Sequence, residues 1–243
     1  MIRHAYLAGL LGVAVLAAGC GGAAAVAPST KTSSSPSATS VASVLSKIDT
    51  NLLAQTGVHL AVTTRTSSTA VPETVIANFG SASGIERVTA GKATLTVEVT
   101  PHGAYMGGSP TGLTTLLGLT AKEAAKIGTR WVSFASSTTQ YASLKSTTTI
   151  SSLTHGLPAP KGTTLSRRIE KGVAVDVLSW TSAATSTAPK LTNTLTVASL
   201  LPAEERSESS SGYSTETYSD WGEVVHVSTP VASSTIPYTA VTG

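Results

Sequence analysis

A single cysteine, Cys20, stands among 243 residues. It excludes an internal disulfide, a CxxC redox pair and any zinc site built on several thiolates. Aromatic residues make up 5% of the chain and charged residues 12%, both too sparse for the base-stacking platforms and basic stripes that grip nucleic acid. The net charge is +3, and the 16 Lys and Arg are scattered. The densest basic cluster, Ser166–Lys171, is interrupted by Glu170. No phosphate loop or dinucleotide fingerprint occurs, and no two histidines have metal-ligand spacing. Glu204, Glu205, Glu208, Glu216 and Asp220 are too widely spread for a calcium loop. No cofactor and no metal is expected, and nucleic acid is not an expected partner.

What is present begins at the N-terminus. Met1–His4 carries Arg3, Ala5–Ala18 is uncharged and apolar, and Ala17, Ala18 and Gly19 lead directly to Cys20. A basic start, an apolar core and small residues at its end make a secretory signal. The apolar run is about 14 residues, short of the ~20 that a membrane-spanning helix needs. "LAAGC" resembles a bacterial lipobox, although Ala17 stands where Leu is usual and Leu16 lies one step earlier. The resemblance implies cleavage after residue 19 and a diacylglycerol on the Cys20 sulfur, the second chain giving the hold that a single acyl group lacks. The expected partner is therefore the membrane, and the expected location is its extracytoplasmic face. Residues 21–40 are Gly, Ala, Ser, Thr, Pro and Val with one charge, Lys31, and read as a tether with nothing large to bury.

From Val41 the pattern alternates between periods. Val41, Val44, Leu45, Ile48, Leu52 and Leu53 share a helical face, with Ser40 as cap and Gly57 as stop. Period-two runs follow at Val58–Thr63 and Ala93–Thr100, and the turn Pro101–Gly103 makes the second run half of a hairpin. The middle is helical: a Leu113–Leu119 cluster, then Thr120 and Glu123 spaced as a capping box, with Gly128 as stop. Arg130–Phe134 is extended, and Tyr141, Leu144, Ile150 and Leu153 return to helical spacing. Strands are expected again at Gly172–Trp180, Thr194–Ser199, Leu200–Ser210, Gly212–Gly222 and Glu223–Pro230. Trp221 and Gly222 fall between the last two, where Gly permits a bend and the ring is expected to pack into the core. The sum is an α+β fold with a mainly antiparallel sheet and a few short helices.

The segment from Gly103 to Phe134, with Tyr105, Leu116, Leu117, Gly128, Trp131 and Val132, resembles a recurring stretch of actinobacterial lipoproteins. The tail, with Leu201, Pro202, Trp221, Gly222, Glu223, Val227 and Pro230, is similar to their closing strands. The chain thus resembles the LprG/LppX lipoproteins and, more distantly, the LolA–LolB carriers. That resemblance implies a strongly curved, unclosed half-barrel whose concave face is covered by helices, with an apolar cavity for lipid or an acylated lipoprotein between them. It places a 41–230 domain between the tether and a 231–243 tail. The side chains expected to line the cavity are Leu113, Leu116, Leu117, Leu119, Ile127, Ile150 and Leu153; the same residues also suit a plain packed core. The leading expectation is a non-enzymatic lipid-binding lipoprotein. A second is an envelope interaction protein with no cavity. A third, an extracytoplasmic hydrolase, rests only on Ser109 in the stretch Gly107–Gly112, a near match to Gly-x-Ser-x-Gly with Thr111 in the last place.

Overall fold

The computed structural model describes residues 40–67, 69–154, 162–182, 191–210 and 212–242. The expected signal and tether, Cys20 included, lie outside the described residues.

Helix α1 (Val41–Leu53) starts where Ser40 Oγ accepts from the Ser43 amide at 3.1 Å. Val44, Leu45, Ile48 and Leu52 form its buried stripe. The helix ends at Leu53, and Gly57, expected to stop it, instead opens strand β1 (Gly57–Arg65). Next come β2 (Glu73–Gly80), β3 (Gly84–Ala90), β4 (Ala93–Thr100) and β5 (Gly103–Gly108), paired antiparallel in sequence order. The β4–β5 turn is held by Thr100, whose hydroxyl donates to the Gly103 carbonyl at 3.0 Å and accepts from the amides of His102 and Gly103.

Helices α2 (Pro110–Thr115) and α3 (Ala121–Ile127) lead to β6 (Trp131–Ala135), and α4 (Thr139–Thr147) to a 3-10 turn at Ile150–Leu153. The expected capping box forms at α3: Glu123 N–H donates to Thr120 Oγ1, and Thr120 N–H donates to the Glu123 carboxylate. Gly128, with φ of 62°, then ends the helix.

The second half begins with β7 (Thr164–Glu170) and β8 (Val173–Ser182). They are joined by Lys171 and Gly172 at φ of 49° and 82°, the two left-handed residues that a tight hairpin requires. β9 (Leu191–Ala198), β10 (Leu201–Glu208) and β11 (Tyr213–Ser219) follow. β11 returns to pair with β1, so β1 lies between β2 and β11. The order across the single 12-stranded sheet is β12-β6-β5-β4-β3-β2-β1-β11-β10-β9-β8-β7.

Two expectations fail at the C-terminus. Residues 223–230, expected as a strand, join no ladder. Residues 231–242, set apart as a tail, supply β12 (Thr235–Pro237), parallel to β6, and α5 (Tyr238–Thr242).

The expected curvature also fails. The sheet is not strongly curled, and no half-barrel forms. Its pairing explains this. From β1 to β5 the partners run one for one, and among the described residues the ladders record a register shift only between Pro202 and Glu204. Repeated bulges coil a sheet, and a single shift does not supply them.

The helices pack against one face. The larger core joins Val58, Leu60, Val62, Val75, Phe79, Leu95, Val97 and Val99 to residues of α2–α5. A smaller one joins Val44, Leu45 and Ile48 of α1 to Leu178, Leu195 and Val197. Between them the same face turns polar. Opposite Val62 stands Glu216, buried, whose carboxylate accepts from the Tyr218 hydroxyl at 3.0 Å, and Ser214 shares a 2.9 Å hydrogen bond with Thr64.

Candidate functional site

An apolar cleft lies at the β12–β6–β5 end of the sheet. Met106 of β5, Val132 and Phe134 of β6, Leu144 of α4, and Tyr238 and Val241 of α5 form its walls with Leu117 and Leu119. Gln140 is the one amide among them. Strand alternation aims Met106, Val132 and Phe134 to the helix side, and the register confirms it: Met106 faces Val132, and Ala104 faces Phe134. The rings of Phe134 and Tyr238 lie 5.1 Å apart at 31°. The cleft holds about 40 Å³ of free space. That is room for roughly one water-sized group, far below the ~300 Å³ at which ligand pockets begin.

Local chemistry brings Leu117 and Leu119 to this place. Ser109 caps α2, its Oγ accepting from the Gly112 amide at 3.0 Å. A side chain on Gly112 would collide with the Thr94 carbonyl, so only glycine lets α2 lie this close to β4. Gly118, at φ of 74°, turns the chain back, and the Leu119 amide donates to the Leu113 carbonyl at 3.1 Å.

Of the seven side chains expected to line a ligand cavity, the structure places Leu117 and Leu119 along this cleft. Leu113, Ile127, Ile150 and Leu153 are buried members of the larger core, and Leu116 is half-buried against it. Period-two alternation is the sequence signal for Met106, Val132 and Phe134. Tyr238 and Val241 lie in the stretch expected as a tail and carry no local signal of this role.

Ser109 is committed to structure. Its oxygen accepts from the amides of Gly112 and Thr94, both at 3.0 Å, and its hydroxyl donates to the Lys92 carbonyl at 3.3 Å. With its proton on a backbone carbonyl, the group is a helix cap and not an activated nucleophile. Among the described residues no group of three or more His, Cys, Asp or Glu is placed to hold a metal.

The opposite face of the sheet carries a second, polar hollow of about 310 Å³, where residues 220–226 pass over β1–β3. His59 and Asn78 lie on its floor, with Nδ1 and Oδ1 2.8 Å apart, while Asp220, Glu223 and His226 stand at its side. One strand beyond Ile85 on this face, burial pushes the Glu98 carboxyl above its ordinary pKa. Its Oε2 is buried without a hydrogen-bond partner.

At the junction between the two cores, Trp221 behaves as expected of a packing residue. It lies half-buried against the larger core, stacks on Tyr218 at 6.0 Å and 16°, and donates from Nε1 to the Pro202 carbonyl at 3.0 Å. Gly222, at φ of 89°, makes the bend and donates its amide to the Gly57 carbonyl at 2.9 Å.

No known protein family matches the chain, and no curated protein does. Solved structures resemble it distantly. LprF from Mycobacterium bovis is 15% identical with a TM-score of 0.48, over 78% of this chain and 96% of that one. The Mycobacterium tuberculosis lipoprotein LppX is 14% identical with a TM-score of 0.45, over 78% of this chain and 100% of that one. A DUF1329 protein from Desulfovibrio piger is 8% identical with a TM-score of 0.29, over 76% of this chain and 92% of that one. At such distances function must be argued from the molecule itself.

Proposed function

We propose that the protein is a non-enzymatic, extracytoplasmic lipoprotein that is anchored through a diacylglycerol on Cys20 and takes an acyl chain into the cleft between α2–α5 and strands β5 and β6. In this reading residues 1–19 are the removed signal, residues 20–40 tie the anchor to the fold, and residues 41–242 are the binding domain. Among the described residues no helix is long and apolar enough to cross a membrane, so the reading places the hold on the bilayer in Cys20. The observation that carries the ligand is the lining of the cleft, almost entirely aliphatic and aromatic, at one end of the sheet and beneath the short helices α4 and α5. Short helices with few contacts can part at modest cost, and each acyl CH₂ that enters contributes ~0.8 kcal/mol.

The small volume of the cleft favours a second reading, an envelope interaction protein that holds no ligand, because about 40 Å³ admits no acyl chain without movement. Leu117→Trp separates the two. In a carrier the ring occupies the opened cleft, so lipid that co-purifies with the wild type and is released by solvent extraction disappears while stability is kept. In a closed core the ring overpacks, at a typical cost of ~1–3 kcal/mol, and neither protein yields lipid. The second result sinks the carrier.

A further inference from the structure

The β7–β8 hairpin extends the sheet at its far edge, beyond the helix cover. Its tip carries Ile169, 68% exposed, and Val173, 50% exposed. These side chains lie on opposite faces of the hairpin: Ile169 shares the α1 side with Leu165, and Val173 shares the other with Val175. Apolar surface therefore surrounds the tip instead of forming one face that a neighbouring sheet could cover. Lys171 stands in the turn itself. Arg167 and Arg168 lie on either face within about 7 Å of Ile169 along the strand. Arg167 pairs with Asp176 at 2.9 Å and Arg168 pairs with Glu170, and both arginines remain more than half exposed. The tip thus joins exposed aliphatic groups to three cations and two carboxylates, a net positive balance, and such a segment suits a bilayer interface, where aliphatic groups enter the acyl boundary and basic groups meet phosphates.

We infer that this hairpin docks end-on against an anionic lipid surface. The inference rests on the lipid-anchor reading above and deepens it. If Cys20 carries the lipid, residues 20–40 reach at most about 70 Å, so the fold never leaves the neighbourhood of the bilayer. Val41, at the start of α1, packs against the same small core as Leu165 and Trp180, and Trp180 lies about 23 Å along β8 from Val173. A tether of that length exceeds this separation, so it lets the hairpin tip reach the bilayer that holds Cys20. A second copy of the chain is the competing occupant, because β7 is an edge strand with an unpaired ladder. Its paired arginines and Glu170 are the charges by which edge strands resist such pairing.

The test uses the full lipidated chain in vesicles. Val173→Cys is labelled with an environment-sensitive thiol dye, and Thr111→Cys on α2 serves as the control position. Vesicles are phosphatidylcholine with or without phosphatidylglycerol, some with brominated acyl chains. The expected result is blue-shifted emission and bromine quenching at position 173 in the anionic vesicles and an aqueous signal at position 111. Lys171→Glu should lower the docked-to-undocked ratio by about tenfold, since each charge near an anionic surface counts strongly. Vesicle flotation with an aqueous signal at position 173 overturns the hairpin alone. A shift that appears without vesicles and grows with protein concentration overturns it in favour of a second copy. Failure to float overturns the anchor and the docking built on it.

Discussion

Strands β1–β6 and β12 carry α2, α3, α4, α5 and the 3-10 turn, while among the described helices β7–β10 carry α1. In the first half nearly every second residue of β4 is buried, from Ala93 through Leu95 and Val97 to Val99. In the second, β7 is exposed over most of its length. The alternation is equally clear in both; what differs is what stands over it. Burial in a sheet is decided by the elements that cover it, and the chain spends its helices on one end. That is the end with the cleft. The other end keeps exposed aliphatic and basic side chains at a hairpin tip.

The largest effect that would sharpen this comparison is a matched pair of truncations. Leu95 and Leu178 are both fully buried, one under the helical layer and one under α1. Leu95→Ala should cost ~4–5 kcal/mol, the upper part of the range for buried leucine, because many rigid neighbours surround the cavity. Leu178→Ala should cost ~2–3 kcal/mol, since a single helix can settle into the gap. Urea melts of the two variants check this; equal losses would mean that the halves are equally well packed.

Trp221 sits where the two halves meet. A fully buried Trp truncated to Ala typically costs ~3–5 kcal/mol, and this ring is half-buried, so about half of that is expected. The loss should appear as one cooperative transition at a lower midpoint. Two separated transitions would show that the halves unfold independently and that the junction does not couple them.

The smallest effect concerns Glu98. Burial raises its pKa, so the folded state binds the proton more tightly than the unfolded chain does. Its stabilising contribution is therefore full below the ordinary carboxylate range and is lost as pH rises through the raised pKa. Glu98→Gln should melt slightly higher than the wild type at neutral pH, and the difference should vanish in acid. A variant that is less stable at neutral pH would show that the carboxylate has a compensating partner when ionised.

Much of this fold was legible in the residues. The stripe of α1, the β4–β5 hairpin and the capping box of α3 are local, and each formed where its residues require. What failed was decided by distant neighbours. Val225 and Val227 alternate as a strand should, yet β1, the strand they leave beside, already has β2 on one side and β11 on the other. With both edges of β1 paired, the valines have no ladder to join. Ile236 looks like part of a polar tail until β6 offers it an edge. Curvature was not legible either, because bulges depend on register and alternation says nothing about register. For the cleft, Leu117 and Leu119 were found from their own run. Tyr238 could not be found, because its role comes from a contact with Phe134, over a hundred residues away in the chain.

The account depends most on the cleft opening to an acyl chain, and photo-crosslinking tests that directly. The full chain is incubated with a diazirine-bearing fatty acid, irradiated and mapped by peptide mass spectrometry. Crosslinks should concentrate on the peptides that carry Met106, Phe134 and Tyr238, be competed by unlabelled fatty acid, and disappear in Leu117→Trp. Crosslinks that spread over exposed positions such as Ile76 and Val224, unchanged by competitor and by Leu117→Trp, would contradict the carrier and leave a closed envelope protein in its place.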